Sequence, residues 1–173
     1  MRKGGGKSKG SSFERDISKR LSLWISHNTQ EDVFWRSSQS GGRSTTAFKK
    51  GKRFADQAGD ICSIHPVGRP LTDKFLLELK HYKDLNFTGL LTNKGNLVKF
   101  WEKAKEQAAQ YKKMPMLIAK QNSQPILVCL SKEGAEALAI KLKCILCVPR
   151  MNFYIFTLDD VLKWATRPGV PDG

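Results

Sequence analysis

Apolar residues follow two different periods along this chain of 173 residues. In residues 12–26 and 94–113 they recur at the spacing of an amphipathic helix. Weaker helical patterns cover residues 132–141 and a short C-terminal segment that Asp159 or Asp160 can cap. Short apolar runs bounded by turn residues predict strands at residues 33–36, 60–64, 75–82, 116–119, 126–130, 144–148 and 153–156. This alternation predicts an α/β fold in which one mixed sheet is flanked by helices.

Two of the predicted strands, residues 60–64 and 75–82, are separated by a turn segment that carries Pro66, Gly68 and Pro70. Because turn residues join the two runs directly, we expect them to pair as a hairpin. The second run is apolar on both of its faces, which is typical of a strand that is covered on both sides. We therefore expect it to lie in the centre of the sheet.

The ends of the chain differ from its middle in composition. The first ten residues contain four glycines and four basic residues, too polar a set to order itself, and we expect a mobile basic arm at residues 1–10. One of the two serines that follow is expected to cap the first helix. Residues 37–52 are rich in Gly, Ser and basic residues and predict a loop. Residues 11–173 are predicted to form a single domain, in which residues 130–173 can extend the sheet.

The charge is strongly positive and unevenly distributed. The formal net charge is +14, and residues 1–53 hold thirteen basic against four acidic residues. Such asymmetry indicates a polyanionic partner, and on a chain this basic we expect nucleic acid. No apolar stretch approaches the roughly 18 residues of a membrane-spanning helix, and the basic N-terminus lacks the apolar segment of a signal peptide. We therefore expect a soluble intracellular protein.

Four cysteines, Cys62, Cys129, Cys144 and Cys147, lie mostly within apolar runs that resemble strands. We expect reduced, buried thiols. The last two have the spacing of half a zinc knuckle, but no second Cys/His pair is near them in the sequence. Buried strand thiols are therefore the preferred interpretation of this pair.

Three charged residues carry the candidate chemistry: Asp60, and the pair Glu78 and Lys80 inside an apolar run. Carboxylates on neighbouring strands can hold Mg²⁺, and a lysine two residues beyond Glu78 lies on the same strand face, where it can orient a water or stabilise phosphate charge. The alternative is a solvated strand face on which Glu and Lys alternate with apolar residues. The apolar neighbours favour the functional interpretation, because unpaired buried charges are costly.

Four motifs in a fixed order resemble those of the PD-(D/E)xK nuclease superfamily, and most closely those of archaeal-type Holliday junction resolvases and their phage relatives. The resemblance covers about residues 9–120, and the order of its motifs is more specific than any one of them. The motifs are Lys9-Gly10-Ser11-Ser12-Phe13-Glu14-Arg15-Asp16, Arg36-Ser37-Ser38-Gln39-Ser40-Gly41-Gly42, Gly59-Asp60-Ile61 and Glu78-Leu79-Lys80.

The resemblance implies a restriction-endonuclease-like core and a metal site. Mg²⁺, for which Mn²⁺ can substitute, would be bound by Asp60, Glu78 and the carbonyl group of Leu79, and Glu14 on the first helix would complete the acidic cluster. Lys80 would be the catalytic lysine, and its pKa would fall far enough for proton exchange only if Mg²⁺ and burial depress it. The implied reaction is hydrolysis by a metal-activated water with in-line attack on phosphorus.

Phosphate contacts are expected from the segment between the first helix and Asp60. The resemblance assigns contacts with the scissile or adjacent phosphate to Arg36 and Ser40. The basic loop would neutralise flanking phosphates and make binding depend steeply on salt. Its basic residues are Arg43, Lys49, Lys50, Lys52 and Arg53.

The sequence also departs from the superfamily pattern. Gly59 stands where the pattern has a proline, the segments between Arg43 and Asp60 and between Ile64 and Lys74 are longer than in compact resolvases, and residues beyond about 130 lie outside the resemblance. The two longer segments weaken the case for junction specificity.

The primary hypothesis is a Mg²⁺-dependent, structure-selective DNA endonuclease that cuts branched duplexes, acts in recombination or repair, and forms a homodimer. The dimer follows from the resemblance alone, and the expected location is the cytoplasm of a bacterial, archaeal or phage-infected cell. One alternative is a non-catalytic nucleic-acid-binding protein on a nuclease-like scaffold. Another is a nicking or repair nuclease without junction preference.

Overall fold

The computed structural model describes residues 5–37, 58–141 and 143–169, with side chains from residue 10 onward. Within these ranges the chain forms the following α-helices: α1 Gly5–Ile25, α2 Arg69–Lys74, α3 Asn96–Gln110, α4 Lys132–Ala137 and α5 Leu158–Trp164. The strands are β1 Phe34–Arg36, β2 Ile61–Ser63, β3 Phe75–Tyr82, β4 Met114–Gln121, β5 Ile126–Leu130, β6 Leu146–Val148 and β7 Phe153–Thr157. Short 3₁₀-helices occur at Pro66–Gly68, Phe87–Thr92 and Pro149–Met151.

Five of the strands form one mixed sheet in the order β3-β4-β5-β7-β6. Strands β3 and β4 are parallel, and the other neighbours are antiparallel. Strands β1 and β2 form a separate antiparallel pair. Helices lie on both faces of the sheet, so the predicted α/β fold with a mixed sheet flanked by helices, a restriction-endonuclease-like core, is confirmed. Strands β7 and β6 continue the sheet beyond β5, and α5 packs against β5 and β7.

The predicted hairpin of residues 60–64 and 75–82 is wrong. Strand β2 pairs with β1, and β3 lies at the edge of the five-stranded sheet instead of its centre. The connecting segment forms helices because Pro66 occupies the start of a 3₁₀ turn and Pro70 the start of α2. Proline fixes φ near the helical value and lacks an N–H that would go unused in the first turn, so both prolines begin helices here.

Apolar residues of β3 and β4 alternate between two cores. Phe75, Leu77 and Leu79 pack with α1 in the first core, together with α5. In the second core Trp101 of α3 packs against the opposite face, where Leu117 of β4 also lies. Because strand residues alternate, Glu78 and Lys80 lie on the α3 face, opposite α1.

The ends of α1 and α4 differ from those that the sequence predicts. Helix α1 begins at Gly5, so it includes residues 5–10, which were assigned to the mobile arm. Ser11 lies inside the helix and so does not cap its start, and its hydroxyl accepts hydrogen bonds from Arg15 and Arg36. Helix α4 ends at Ala137, since Ala139 has a φ of +47°.

Helix α5 is capped by the threonine that precedes it. Thr157 Oγ1 accepts a hydrogen bond from the backbone N–H of Asp160 at 3.0 Å. Asp159 and Asp160 lie in the first turn, where their charges favour the helix dipole. Asp159 or Asp160 was expected to cap this helix. In the structure the cap is Thr157, a residue type that caps helices nearly as well as aspartate.

Candidate active site

Strand β3 positions Glu78 and Lys80 on one face, toward α3. Glu78 is buried, and the Lys80 side chain is 21% exposed. The apolar residues on both sides of Glu78 keep the strand covered, so this carboxylate is not part of a solvated strand face. The alternative of alternating surface charges is therefore wrong for Glu78.

Asp60 is fixed to the edge of β3 by two hydrogen bonds. Its backbone N–H donates to the Leu77 carbonyl at 2.8 Å, and its Oδ2 accepts from the Leu79 N–H at 2.8 Å. The carboxylate is buried as a result. These bonds bring the start of β2 against β3 although the two strands do not form a ladder.

Gly59, which stands in place of the superfamily's proline, is required by the backbone. Its φ is +85°, and a Cβ atom built there would lie 2.6 Å from the Leu77 carbonyl oxygen. Proline is restricted to φ near −65° and cannot adopt this conformation. Only glycine has both the conformational freedom and the small size that this approach to β3 needs.

The Lys80 ammonium lies against the three oxygen donors that were expected to hold the metal. Its Nζ donates to Glu78 Oε1 at 2.5 Å and to the Leu79 carbonyl at 3.0 Å. The same atom is 3.8 Å from Asp60 Oδ2. Two carboxylates and a carbonyl on neighbouring segments therefore converge on one cation.

Charge and burial shift the pKa of two groups in this site. Burial and the Glu78 carboxylate raise the pKa of Asp60 from 3.8 to about 7, against the opposing effects of the Lys80 charge and the Leu79 N–H. Burial by itself lowers the pKa of Lys80, but the negative charges of Glu78 and Asp60 outweigh it and raise that pKa above its ordinary value. Lys80 is therefore a charged ammonium. Burial was expected to help depress its pKa, but in this site burial does not do so against the two carboxylates.

Glu14 forms an ion pair with Arg36 instead of joining the other two carboxylates. Arg36 Nε donates to the Glu14 carboxylate, and Arg36 Nη1 donates to Ser11 Oγ at 3.1 Å. Glu14 remains near enough to have a weak effect on the pKa of Asp60. Glu14 also contributes to the raised pKa of Lys80, so it lies within electrostatic range of the site although its direct partner is Arg36.

In the described part of the chain, no group of three or more His, Cys, Asp and Glu side chains is placed to hold a metal ion. The structure thus brings together Asp60, Glu78, Lys80 and the Leu79 carbonyl, and it leaves Glu14 with Arg36. The remaining predicted phosphate-binding residues lie outside the described residues. They are Ser40, Arg43, Lys49, Lys50, Lys52 and Arg53.

Sequence reasoning missed an aromatic neighbour of the site. The ring of Phe100 on α3 lies 6.0 Å from Lys80 Nζ, and the Tyr82 ring packs against it. Helical periodicity places Phe100 on the apolar face of α3, and strand alternation places Tyr82 on the face of Lys80. To predict the contact between these two rings, one would also have to know that α3 packs on β3, and neither pattern provides this.

The predicted burial of the cysteine thiols is only partly correct. Cys129 is buried, but Cys62 and Cys144 are intermediate and Cys147 is exposed; all four are free thiols. Cys147 lies on β6, the outer strand of the sheet, where a neighbour on one side is missing among the described residues. An outer strand of three residues buries less than its apolar sequence predicts.

An α/β core that holds an aspartate beside a Glu-x-Lys strand is the arrangement of a PD-(D/E)xK endonuclease. A family model described as "Phage putative PDDEXK endonuclease" matches residues 5–160 of the chain. The chain therefore belongs to this family, which is a nuclease family and implies a nucleic-acid substrate. The match includes β5, β6 and β7, which lie largely beyond the motif resemblance.

Searches of the curated proteins and of the solved structures found no match. None of the helices in the described ranges combines the length and the apolar character that crossing a membrane requires.

Proposed function

We propose that this protein is a Mg²⁺-dependent endonuclease that hydrolyses phosphodiester bonds of branched DNA. The observation that carries the proposal is the convergence of Asp60 Oδ2, Glu78 Oε1 and the Leu79 carbonyl oxygen on the Lys80 ammonium. Branched DNA, a homodimer, a role in recombination or repair and a cytoplasmic location are supported only by the likeness to resolvases.

The donor set fits Mg²⁺. Carboxylate and carbonyl oxygens are the hard ligands that this ion prefers, and two protein carboxylates are a usual number for it. Burial, and after it the Glu78 charge, raises the Asp60 pKa to about 7, and a cation bound here would favour the ionised carboxylate. Asp60, Glu78 and the Leu79 carbonyl would hold the ion, and a Glu14 contribution would require it to leave Arg36.

Mg²⁺ held by Asp60, Glu78 and the Leu79 carbonyl would supply Lewis-acid chemistry and would lower the pKa of a water bound to it. The residues of the chain supply positioning and charge. Lys80 stays protonated, and its flexible stem lets the ammonium turn from the carboxylates toward a phosphate that carries developing negative charge. Arg36, oriented by Glu14 and Ser11, presents a planar guanidinium that suits an adjacent phosphate.

Labelled four-way and linear DNA, each incubated with Mg²⁺ or with EDTA, test this proposal. We expect cleavage that requires Mg²⁺ and favours the branched substrate. Glu78→Ala and Lys80→Ala should each reduce cleavage at least about a hundredfold. A matched control is Glu136→Ala, which removes an exposed carboxylate on α4.

Cleavage results other than the expected one distinguish between the alternative functions. Equal cleavage of both substrates would leave a nicking or repair nuclease and remove the preference for branched DNA. Binding without any metal-dependent cleavage would overturn the enzymatic proposal in favour of a non-catalytic nucleic-acid-binding protein on this scaffold. Normal cleavage by Glu78→Ala would show that the site is elsewhere.

A further inference from the structure

An exposed tyrosine continues the row of charged residues along β3. Tyr82 follows Lys80 by two residues, so its side chain lies on the same face of the strand as Glu78 and Lys80. Its relative exposure is 45%, which is high for an aromatic residue in a sheet. The ring therefore lies at the border between the site and solvent.

The Tyr82 ring is held in place by Phe100. The two ring centroids are 4.8 Å apart at an interplanar angle of 61°, an edge-to-face contact. Phe100 is partly buried against the second core, so it provides a fixed support. The result is an aromatic pair in which the outer ring keeps nearly half of its surface open.

This aromatic pair, Tyr82 and Phe100, lies directly beside the candidate active site. Lys80 Nζ is 6.0 Å from the centroid of the Phe100 ring. Residues two apart on a strand are separated by about 7 Å, a length that a single nucleotide can span between its phosphate and its base. A phosphate at Lys80 would therefore place the adjoining base within reach of Tyr82.

Two exposed lysines lie close to the pair along the chain. Lys83 follows Tyr82 in the chain, and Lys103 lies one helical turn beyond Phe100 on α3. Both are exposed, and neither forms an ion pair with any residue in the described ranges. An open aromatic ring on the same strand face as Lys80 suits a nucleotide, which offers a flat base and a charged phosphate.

We infer that Tyr82, supported by Phe100, stacks on an unpaired base of the DNA strand whose phosphate lies at Lys80. The inference rests on the proposed function and specifies its substrate: DNA with an unpaired or displaced nucleotide next to the cleavage site. A base inside an intact duplex is already stacked on both sides and has to leave the stack to meet this ring. Tyr82 is a substrate-positioning residue in this scheme.

The test is DNA binding in EDTA, with a duplex and the same duplex carrying a one-base bulge of 2-aminopurine. For Tyr82→Leu we expect about tenfold weaker binding of the bulged DNA and little change for the duplex. Tyr82→Phe should bind like the wild type, because it keeps the ring. Trp164→Leu is the matched control, since it removes another exposed aromatic residue from α5.

Two readouts keep the inference open to refutation. Equal losses on both DNAs, or no loss on the bulged DNA, would overturn it. If Tyr82→Leu fails to fold, quenching of 2-aminopurine fluorescence by the wild-type protein decides, and an absence of quenching overturns the inference. Because these measurements need no cleavage, the two failures are distinguishable: an inactive protein that still quenches the bulge would refute the proposed function and keep only the contact between Tyr82 and the unpaired base.

Discussion

The backbone N–H of Leu79 donates a hydrogen bond of 2.8 Å to the carboxylate of Asp60. This bond joins β3 to the segment just before β2, two parts of the chain that share no strand ladder. It also orients one oxygen of the aspartate toward the strand that carries Glu78 and Lys80. The geometry of the candidate site therefore depends on how closely the backbone before Asp60 can approach β3.

Gly59 is the residue that permits this approach, and we predict that Gly59→Ala destabilises the protein by about 1–3 kcal/mol. The added Cβ would lie 2.6 Å from the Leu77 carbonyl oxygen in a backbone with a φ of +85°. Thermal unfolding with Gly10→Ala as the control measures the effect. No atom lies within 4 Å of a Cβ at Gly10 inside α1, so that substitution should be neutral or stabilising. Equal melting temperatures for the two variants would contradict the prediction.

The raised pKa of Asp60 predicts a specific dependence of stability on pH. The pKa is about 7 in the folded protein against an ordinary value of 3.8. Between these two values the folded state holds a proton that the unfolded state has released, so the free energy of unfolding falls as pH rises. Ionisation of buried Asp60 therefore lowers the free energy of unfolding by an amount on the order of a few kcal/mol. This loss is absent below pH 4 and complete above pH 7.

Asp60→Asn removes this titration while keeping an oxygen that can accept the Leu79 N–H. In EDTA, the variant should gain stability relative to the wild type as pH increases from 4 to 8. Denaturant titrations at several pH values measure the difference in unfolding free energy. Asp73→Asn, on α2, controls for the loss of a carboxylate elsewhere. A constant difference across this range would show that Asp60 is not the group that titrates.

The sequence was most informative where the required information was local. The apolar run that turn residues bound gives β3 the bounds that the structure has, Phe75–Tyr82, and helical periodicity predicts α3 to within a few residues. Glu78 and Lys80 follow from the same strand, because residues two apart share a face. The partner of β2 was predicted wrongly, since strand pairing depends on contacts between distant segments and local turn residues do not determine it.

The arrangement of the acidic residues shows the same limit. The motif order correctly associates Asp60 with the Glu78 strand, but it places Glu14 in the same cluster. In the structure the direct partner of Glu14 is Arg36, a residue 22 positions away. Motif order therefore identifies residues that gather near the site, but it does not predict which of them form direct contacts.

Lys80 and a metal ion would use the same oxygen atoms, so we predict that Lys80→Met strengthens Mg²⁺ binding while it abolishes cleavage. The lysine Nζ contacts Glu78 Oε1 and the Leu79 carbonyl, and removing it leaves two carboxylates without their cation. In EDTA the variant should be less stable than the wild type. The rise in melting temperature on adding Mg²⁺ should be larger for the variant, as ligand linkage requires.

Lys132→Met, on the exposed α4, is the control for this measurement, because its Nζ lies 3.9 Å from a single exposed carboxylate. It should respond to Mg²⁺ like the wild type. A smaller Mg²⁺ response in Lys80→Met than in the wild type would mean that the lysine supports the metal instead of competing with it.

Glu14 is expected to position Arg36 and not to bind the metal. Glu14→Gln should leave the Mg²⁺-induced rise in melting temperature unchanged, whereas Glu78→Gln should remove most of it. Because the substitution releases the Arg36 guanidinium from its partner, cleavage should fall about tenfold through a higher KM, without a change in metal dependence. Glu31→Gln is the matched control, since it breaks an exposed ion pair with Lys19 of α1. If Glu14→Gln lost the thermal response to Mg²⁺ as fully as Glu78→Gln, Glu14 would be a metal ligand and the pairing with Arg36 would be secondary.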